Sequence, residues 1–159
     1  EQLMIRENVG QFNEMLSACA EGRVPLVYAS SAATYGTPPQ AREHVPFPVH
    51  AAGAPSNVYG FSKWLMECEH RQFASSSGEQ PWVVGLRYFN VFGPGEARKG
   101  KMASMVLQLA QQMLSGKRPR LFAGGDQARD QVYVDDVVDC TMAAAGLGEA
   151  RCYLAPAFE

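Results

Sequence analysis

A tyrosine and a lysine stand four positions apart in the stretch SNVYGFSKW, as Tyr59 and Lys63. Residues at this spacing lie on one face of a helix and are neighbours in space. A phenol has a pKa near 10, so acting as a base near neutral pH requires a shift of roughly three units, or about 4 kcal/mol. A positive charge about 4 Å away supplies roughly that free energy at the dielectric of a protein surface. Lys63 can therefore favour the phenolate of Tyr59, and the pair predicts proton transfer to or from an alcohol.

Two further segments supply groups that such chemistry needs. SSAATYG (30–36) is rich in hydroxyls, and either Ser31 or Thr34 could hold a substrate oxygen. FNVFGPGEARKGK (89–101) is a Gly/Pro turn followed by basic residues. A set of this kind suits the oxidation of an alcohol when a hydride acceptor is present. The Y-x-x-x-K spacing also occurs on helices without any catalytic role, so the prediction depends on these segments lying together.

The surrounding pattern predicts an open α/β sheet that brings them together. Helices are expected over residues 4–20, with Gly22 as a stop, and over 58–73, with Ser56 or Asn57 as the cap. Apolar strands are expected at 24–30 and 82–90. Alternating helices and apolar strands are typical of a parallel sheet, in which ligands bind beyond the carboxyl ends of the strands.

The sequence also predicts elements that do not carry the candidate catalytic groups. Residues 37–55 hold five of the ten prolines and should form an irregular excursion. Short strands are expected in RLFAG (120–124) and QVYV (131–134), and Asp135 should cap a helix that runs to about 145 and ends at Gly146. An amphipathic stripe closed by Gly116 favours a core-facing helix over an adaptable binding face; it comprises Met102, Met105, Val106, Leu109 and Met113.

Charge is distributed unevenly around a net value of −2. Residues 98–129 hold seven of the fourteen Lys and Arg residues and one acid, Asp126, which gives 7 − 1 = +6. This basic segment is either an anion-binding site or a solvated surface. No aromatic residue interleaves with the bases of residues 98–120, so nucleic-acid binding lacks its stacking partners and is not expected.

Composition is that of an ordinary globular protein, with 47% apolar and 19% charged residues. No apolar run approaches the roughly 20 residues of a membrane span. Four cysteines without C-x-x-C spacing favour reduced thiols, and three scattered histidines give no indication of a metal site. We expect a cytoplasmic protein that does not bind membranes. Because Glu1 already lies in a predicted helix, we also expect the chain to be part of a longer enzyme.

Four stretches, SSAATYG, NVYGFSK, LRYFNVFGPGE and RDQVYVDDV, resemble the extended short-chain dehydrogenase/reductase superfamily. Within it, YASSAATYG, RYFNVFGP and above all KGKMAS are most similar to the ADP-L-glycero-D-manno-heptose 6-epimerase family, which acts in the synthesis of the bacterial lipopolysaccharide inner core. The resemblance runs from about residue 8 to residue 145.

The resemblance implies part of a Rossmann-type doubly wound parallel sheet, without its first βαβ half, and part of a small substrate-binding region. Residues 1–92 would be the C-terminal half of the NAD(P)-binding domain. Residues 93–130 would be a substrate-binding segment, and residues 131–159 would return to the first domain.

The resemblance also implies a role for each matching residue. Tyr59 would be one acid/base and Lys99 a second, on the opposite side of the substrate. Lys63 would bind the nicotinamide ribose and lower the pKa of Tyr59, and Ser31 would hold the reacting oxygen. The cofactor would also be contacted by Ser30, Val91 and Tyr59. The implied substrate-binding residues are Asn90, Lys101, Gln108, Phe122, Ala123, Gly124, Gly125 and Arg129.

The activity implied is an internal redox reaction on an ADP-sugar, with NADP, or else NAD, as the bound cofactor. A hydride would leave C6″ of the heptose, giving a transient ketone, and would return to its other face. A homo-oligomer is implied for the full-length protein. Lys101 and Gln108 stand where the family usually has Ser and His, and Gln131 replaces a Phe. The glycine-rich βα turn and the residue that selects NAD or NADP do not occur in this sequence.

Other interpretations remain open at this stage. A hexose 4-epimerase of the same superfamily is disfavoured by Lys99, and a 4,6-dehydratase by the lack of an acid within residues 32–34. The alternative from another class is a truncated, non-catalytic binding module that presents the basic segment to RNA or to a partner protein.

Overall fold

The computed structural model describes residues 2–36, 49–75, 82–121 and 129–146. Within these ranges the chain forms two small parallel sheets with helices between the strands. The predicted α/β class with parallel strands is therefore confirmed. No helix in the described ranges is long and apolar enough to span a membrane.

The N-terminal helical region has three parts. Helix α1 (Gln2–Ile5) continues through a π-helical turn (Arg6–Gly10) into α2 (Gln11–Gly22). The expected stop at Gly22 is wrong by one residue. Gly22 is the last helical residue, and Arg23 takes the left-handed conformation (φ 51°), so that its N–H donates to the carbonyls of the last turn.

The first sheet pairs β1 (Leu26–Ser31) with β2 (Val83–Tyr88) in parallel, from Leu26 opposite Val83 to Ser31 opposite Tyr88. Helix α3 (Val58–Ala74) lies between them in the chain and packs on the sheet. Its predicted cap is confirmed, because Asn57 Oδ1 accepts the Gly60 N–H at 2.8 Å. The buried core of this unit comprises Phe12, Leu16, Tyr28 and Met66.

A glycine makes room for the largest core side chain on the sheet. Gly85 stands opposite Tyr28, and a Cβ at Gly85 would lie 2.5 Å from the Tyr28 hydroxyl. The phenol ring of Tyr28 therefore fills the space above β2, where it packs against Phe12 with a centroid distance of 4.7 Å. This packing fixes α2 against the strand that carries Ser31.

The predicted strand at 82–90 is in fact two strands in two sheets. After β2 the chain breaks at Phe89, and β3 (Asn90–Phe92) pairs in parallel with β4 (Gln131–Tyr133). Helix α5 (Val134–Ala144) follows β4 directly. Its N-cap is Tyr133, without a side-chain hydrogen bond, so the expectation that Asp135 caps it is wrong. Asp135 lies in the first turn, where a carboxylate is favoured by the helix dipole.

A 3₁₀ segment (Glu96–Met102) leads into α4 (Met105–Leu114), whose N-cap Ser104 accepts the Leu107 N–H at 3.2 Å. The expectation that the apolar stripe of α4 is core is wrong for the described chain. Met102 is 84% exposed, Val106 62% and Met113 57%. The reason is that the main packing partner of α4 among the described elements is the short segment that precedes it.

Some sequence predictions fall partly outside the described ranges. Residues 37–48 and 122–128 are not described, while residues 49–51 form a 3₁₀ turn and 52–55 have no regular structure. In the RLFAG stretch, Arg120 and Leu121 are not in a strand and the other residues lie outside the described part. The division at residues 92 and 130 stays a prediction.

Candidate active site

Ser31 ends β1 and begins the turn that carries the hydroxyl groups. Its Oγ accepts the Ala33 N–H at 3.2 Å, which leaves the hydroxyl hydrogen available for a substrate oxygen. Thr34 is buried, and its Oγ1 donates to the Ser31 carbonyl at 2.8 Å. Ser31 is buried as well, at 8% exposed, so the two residues differ in the hydroxyl hydrogen, which Thr34 gives to the turn while Ser31 Oγ acts as an acceptor.

Tyr59 and Lys63 lie in the first two turns of α3. The Tyr59 side chain is 42% exposed, so its phenol is accessible to a ligand. Lys63 is partly buried, and its Nζ donates to the Ala29 carbonyl of β1 at 2.9 Å. Burial lowers the pKa of Lys63. Lys63 Nζ also approaches Met66 Sδ at 3.8 Å. An ammonium has three donors, so these contacts fix Lys63 beside the Ser31 strand and leave one hydrogen for another acceptor.

Gly60 allows the start of α3 to approach the Ser31 turn closely. A Cβ at this position would lie 2.5 Å from the Ala33 carbonyl oxygen and 3.1 Å from Pro55 Cβ. Any side chain here would push α3 away from the turn. The glycine that follows Tyr59 thus sets how near the backbone of the first turn of α3 lies to the segment of Ser31.

A second contact, not predicted from the sequence, anchors the Tyr59 turn from the other side. Asn8 Nδ2, in the π-helical turn, donates to Ser62 Oγ at 2.8 Å, and Ser62 Oγ donates to the Tyr59 carbonyl at 2.8 Å. Ser62 is fully buried. Single π-helical turns are frequent at functional sites, and here the turn places Asn8 one hydrogen-bonded link from Tyr59.

A buried ion pair, also missed from the sequence, joins α3 to β2. Arg87 Nε donates to Glu67 Oε1 at 2.8 Å and Arg87 Nη2 to Glu67 Oε2 at 2.6 Å, a bidentate arrangement. Ser30 Oγ donates to Glu67 Oε1 at 2.5 Å. Burial alone would raise the pKa of Glu67, but the hydrogen bonds from Arg87 and Ser30 outweigh it and lower that pKa. Glu67 and Arg87 stand 20 positions apart on different elements, and no local pattern of the sequence indicates their pairing.

Lys99 is carried by a different part of the chain. It lies in the 3₁₀ segment after β3, is exposed, and donates from Nζ to the Val91 carbonyl at 3.3 Å. The segment is closed by buried Glu96, whose Oε1 accepts the Ser104 N–H at 2.5 Å. That hydrogen bond lowers the pKa of Glu96. Sequence reasoning missed Glu96, although an acid at the start of a basic segment was visible.

The other predicted residues divide between these two regions. The Ser30 hydroxyl is held by Glu67, so its assignment to the cofactor stays a prediction. Asn90 Nδ2 donates to the Asp130 carbonyl at 3.0 Å, and Val91 pairs with Val132. Gln108 Nε2 donates to the Ala103 carbonyl at 2.7 Å.

The remaining predicted substrate residues are either exposed or outside the described part. Lys101 and Arg129 are exposed. Phe122, Ala123, Gly124 and Gly125 lie outside the described residues. The described bases of the basic segment are all exposed, namely Arg98, Lys99, Lys101, Lys117, Arg118, Arg120 and Arg129. This exposure is compatible with both an anion site and a solvated surface.

The structure therefore packs the turn that follows Ser31 against α3, the helix that carries Tyr59 and Lys63, and joins Lys63 to β1 at Ala29. It places Asn90, Val91 and Lys99 at β3 and the segment that follows. The first group can hold an alcohol oxygen and exchange a proton with it. The second group offers one exposed amine.

This chain is similar to several solved structures of longer proteins. The ADP-L-glycero-D-manno-heptose-6-epimerase of Helicobacter pylori is 39% identical, with a TM-score of 0.76 over 91% of this chain and 44% of its own. A UDP-N-acetylglucosamine 4-epimerase of Methanobrevibacter ruminantium, in complex with UDP-N-acetylmuramic acid, is 27% identical, with a TM-score of 0.77 over 89% of this chain and 44% of its own.

A third similar structure performs a different reaction. It is an NAD-dependent NDP-hexosamine 5,6-dehydratase of tunicamycin biosynthesis, which is 30% identical with a TM-score of 0.72 over 90% of this chain and 45% of its own. The chain thus spans less than half the length of each of these three proteins. The profile of the NAD dependent epimerase/dehydratase family matches residues 1–151, and the chain belongs to that family.

Proposed function

We propose that this chain carries part of an ADP-glyceromanno-heptose 6-epimerase, which interconverts ADP-D-glycero- and ADP-L-glycero-D-manno-heptose. The observation that carries the proposal is the amine of Lys99 beside β3, on a different segment from the Tyr59 phenol. Two acid/bases suit the inversion of a carbon through a transient ketone, because each can serve the oxygen when one face of the sugar is presented, and groups on separate segments can supply them. The 39% identity with the H. pylori enzyme supports the choice of sugar.

The chain's own residues account for one half of the proton transfer. Ser31 donates to the reacting oxygen, and Tyr59 removes or returns its proton. Lys63, fixed at the Ala29 carbonyl, stands four residues after Tyr59 on the same helix and is proposed as its partner. Lys99 performs the same exchange when the opposite face of the sugar is presented.

The residues around Lys63 fit the ribose end of a nicotinamide cofactor. Lys63 keeps one donor hydrogen beyond its contacts with Met66 and Ala29, and Ser31 stands two residues after Ala29 on the same strand. When bound, NADP or NAD supplies a hydride acceptor and donor for the sugar carbon. Ser30 and Val91 are proposed as further cofactor contacts.

The substrate diphosphate is proposed to lie along the basic segment. Arg129, Lys101 and the other exposed bases give this segment its charge of +6. Two phosphates of an ADP-sugar would be attracted there. Asn90, Gln108 and residues 122–125 complete the proposed contacts, with residues 93–130 as the substrate-binding segment between the two parts of the NAD(P)-binding domain. A cytoplasmic homo-oligomer acting in lipopolysaccharide synthesis belongs to the same proposal.

A second candidate is another nucleotide-sugar epimerase, such as a UDP-hexose 4-epimerase. Two observations favour it. The UDP-N-acetylglucosamine 4-epimerase has a TM-score of 0.77 with this chain. Lys101 and Gln108 also depart from the Ser and His usual in heptose epimerases, and Gln108 is bonded to the backbone at Ala103. The 30% identity with a dehydratase keeps that reaction as a further alternative.

The deciding experiment uses the full-length protein that contains this sequence. ADP-D-glycero-D-manno-heptose is supplied with NADP or NAD, and the two epimers are separated by chromatography. The proposal expects conversion to a mixture of both epimers. Turnover of a UDP-hexose with none of the ADP-heptose would instead establish the second candidate.

The reaction course is tested by running the same conversion in D₂O. Since the hydride that leaves the sugar carbon is the one that returns, the product should carry no deuterium at the inverted carbon. Deuterium at that carbon, detected by mass spectrometry, would indicate proton abstraction from carbon and would contradict the redox mechanism.

A further inference from the structure

We propose that Arg87 is a positioning residue, which holds the segment leading into α3 against the Ser31 turn and thereby fixes Tyr59 relative to Ser31. The consequence for catalysis rests on the proposed function, but the positioning itself does not. Arg87 lies in β2 and faces away from solvent, with a side chain that is 11% exposed. Nothing places it in contact with a substrate.

All three nitrogens of the guanidinium have a partner in the protein. Nε and Nη2 form the bidentate pair with Glu67, and Nη1 donates to the Val49 carbonyl at 2.8 Å. The Tyr35 ring lies under the guanidinium, with Cζ 4.7 Å from its centroid. Burial alone would lower the pKa of Arg87, but its hydrogen bonds with Glu67 and Tyr35 raise it further above the usual value. Arg87 therefore remains charged.

These partners belong to segments that are distant in the sequence. Tyr35 ends the turn that begins at Ser31, whereas Val49 begins the segment that leads into α3. Glu67 lies on α3 itself, and Arg87 lies opposite Ser30 in the sheet register. One side chain thus joins the Ser31 turn, the incoming segment, α3 and the sheet.

The same two segments make close contacts next to Arg87. Gly53 N–H donates to the Thr34 carbonyl at 3.1 Å. Gly36 has a φ of 72° and comes so close to the chain at Ala54 that a Cβ would overlap the Ala54 carbonyl. Three residues after Ala54 the chain reaches Asn57, which caps α3. Releasing the segment from Arg87 should therefore weaken the contacts that hold the start of α3, which carries Tyr59, against the turn that begins at Ser31.

Arg87→Lys tests the role, because a lysine keeps the charge but cannot serve two carboxylate oxygens, a carbonyl and an aromatic face at once. Amide hydrogen exchange is measured in the full-length protein that contains this sequence, without substrate. Arg71→Lys is the matched control, since Arg71 is exposed and approaches Glu67 only at 3.8 Å.

The expected result is a local change. Exchange at the Gly53 and Gly36 amides should become at least about tenfold faster in Arg87→Lys, while Leu26, bonded to Trp82 at the far end of β1, changes much less. If Arg87 only stabilised the fold as a whole, hydrogen exchange at all three amides would become faster by one common factor. Equal factors at Gly53 and Leu26, or no change at Gly53, would overturn the proposal.

Kinetics then connect the positioning to catalysis. For Arg87→Lys we expect kcat to fall by about tenfold or more with KM little changed, because a small misplacement of reacting groups costs rate before it costs binding. Arg71→Lys should retain both constants. If exchange changes as expected while kcat stays the same, Arg87 positions the segment but the proposed roles of Tyr59 and Ser31 are wrong.

Tyr35→Leu provides a second variant for the case in which Arg87→Lys does not fold. It removes the ring beneath the guanidinium and leaves the bidentate pair with Glu67 intact. Faster hydrogen exchange at the Gly53 and Gly36 amides, by a smaller factor than in Arg87→Lys, would support the proposal. Unchanged exchange at both amides would overturn it.

Discussion

The two regions that carry the proposed acid/bases differ in how they are held. Around Tyr59 the polar groups are buried and joined to one another, as in Ser62 to the Tyr59 carbonyl and Arg87 to Glu67, which is 6% exposed. Around Lys99 most side chains face solvent, and Glu96 is the main buried link. Tyr59 is carried by a helix that packs on a sheet, whereas Lys99 is carried by a short segment held by the hydrogen bond between Glu96 and the Ser104 N–H.

The two regions should therefore respond differently to substitution. Substitutions near Tyr59 should change the free energy of unfolding together with the local geometry, because the same buried contacts serve both. Substitutions near Lys99 should change local order and leave global stability nearly intact.

The largest effect is expected for Glu67→Gln. Removing the carboxylate leaves the buried Arg87 charge without its partner, which costs about 3 kcal/mol of the free energy of unfolding. The measurement is urea denaturation of this chain. Glu69→Gln, on the same helix, is the control and should stay within about 0.5 kcal/mol. Equal losses in the two variants would show that the Glu67–Arg87 pair contributes nothing specific.

Gly60→Ala should cost less, about 1 to 3 kcal/mol, because its Cβ would lie 2.5 Å from the Ala33 carbonyl oxygen. Gly10→Ala is the matched control, since nothing lies within 4 Å of a Cβ there and its φ is helical. Alanine at Gly10 should stabilise the helix by up to about 1 kcal/mol. Thermal unfolding of both variants measures the contrast, and a harmless Gly60→Ala would refute the close approach of α3 to the turn.

A smaller effect is expected from pH. Burial, followed by the charge of Arg71, lowers the pKa of His70 below its ordinary 6.5. The unfolded chain therefore takes up a proton at His70 before the folded chain does. This contribution to stability is fully present above pH 6.5 and is lost as the pH falls through the lower folded-state pKa.

Urea midpoints measured from pH 7.5 down to pH 5 should fall in the unmodified chain. His70→Gln keeps a polar partner for the Tyr28 hydroxyl, which lies 3.2 Å from His70 Nδ1, and should flatten the decline. A decline that is identical in both chains would assign it to other groups. Glu67 adds to acid sensitivity only at lower pH, since its folded-state pKa lies below the ordinary 4.5.

The smallest global effect is expected for Glu96→Gln. The Ser104 N–H loses a charged acceptor, so its amide should exchange faster while the urea midpoint stays where it is. Hydrogen exchange followed residue by residue makes this measurement, with β1 amides as the reference. A clear drop of the urea midpoint would show that the hydrogen bond of Glu96 contributes to global stability. The Lys99 region would then not differ from the Tyr59 region in this respect.

Much of the framework follows from local sequence. The apolar run at 24–30 predicted β1, the alternation of helices and apolar strands predicted the α/β class, and Asn57 was one of two residues predicted to cap α3. Local patterns suffice there because each depends on residues a few positions apart. The contact of Lys63 with β1 also follows, since a parallel sheet places the helix start near the strand end.

The sequence predictions failed where contacts between residues distant in the chain determine the structure. The Glu67–Arg87 pair joins residues 20 positions apart, and no local period indicates it. The run at 82–90 is uniformly suited to a strand, yet its pairing partners differ on either side of Phe89. For α4, amphipathicity predicted an apolar face but not whether another element covers it. Asp135 had the right residue type for a cap but stands two positions after the N-cap residue, Tyr133.

The central claim is that Tyr59 and Lys99 exchange protons with the substrate from separate segments. The most direct test compares Tyr59→Phe, Lys99→Met and their combination in the full-length protein, by following conversion of ADP-D-glycero-D-manno-heptose to its epimer. We predict that each single change slows conversion by about a hundredfold or more and that the double variant is inactive. Conversion that survives in the double variant at a measurable fraction of the unmodified rate would contradict the claim.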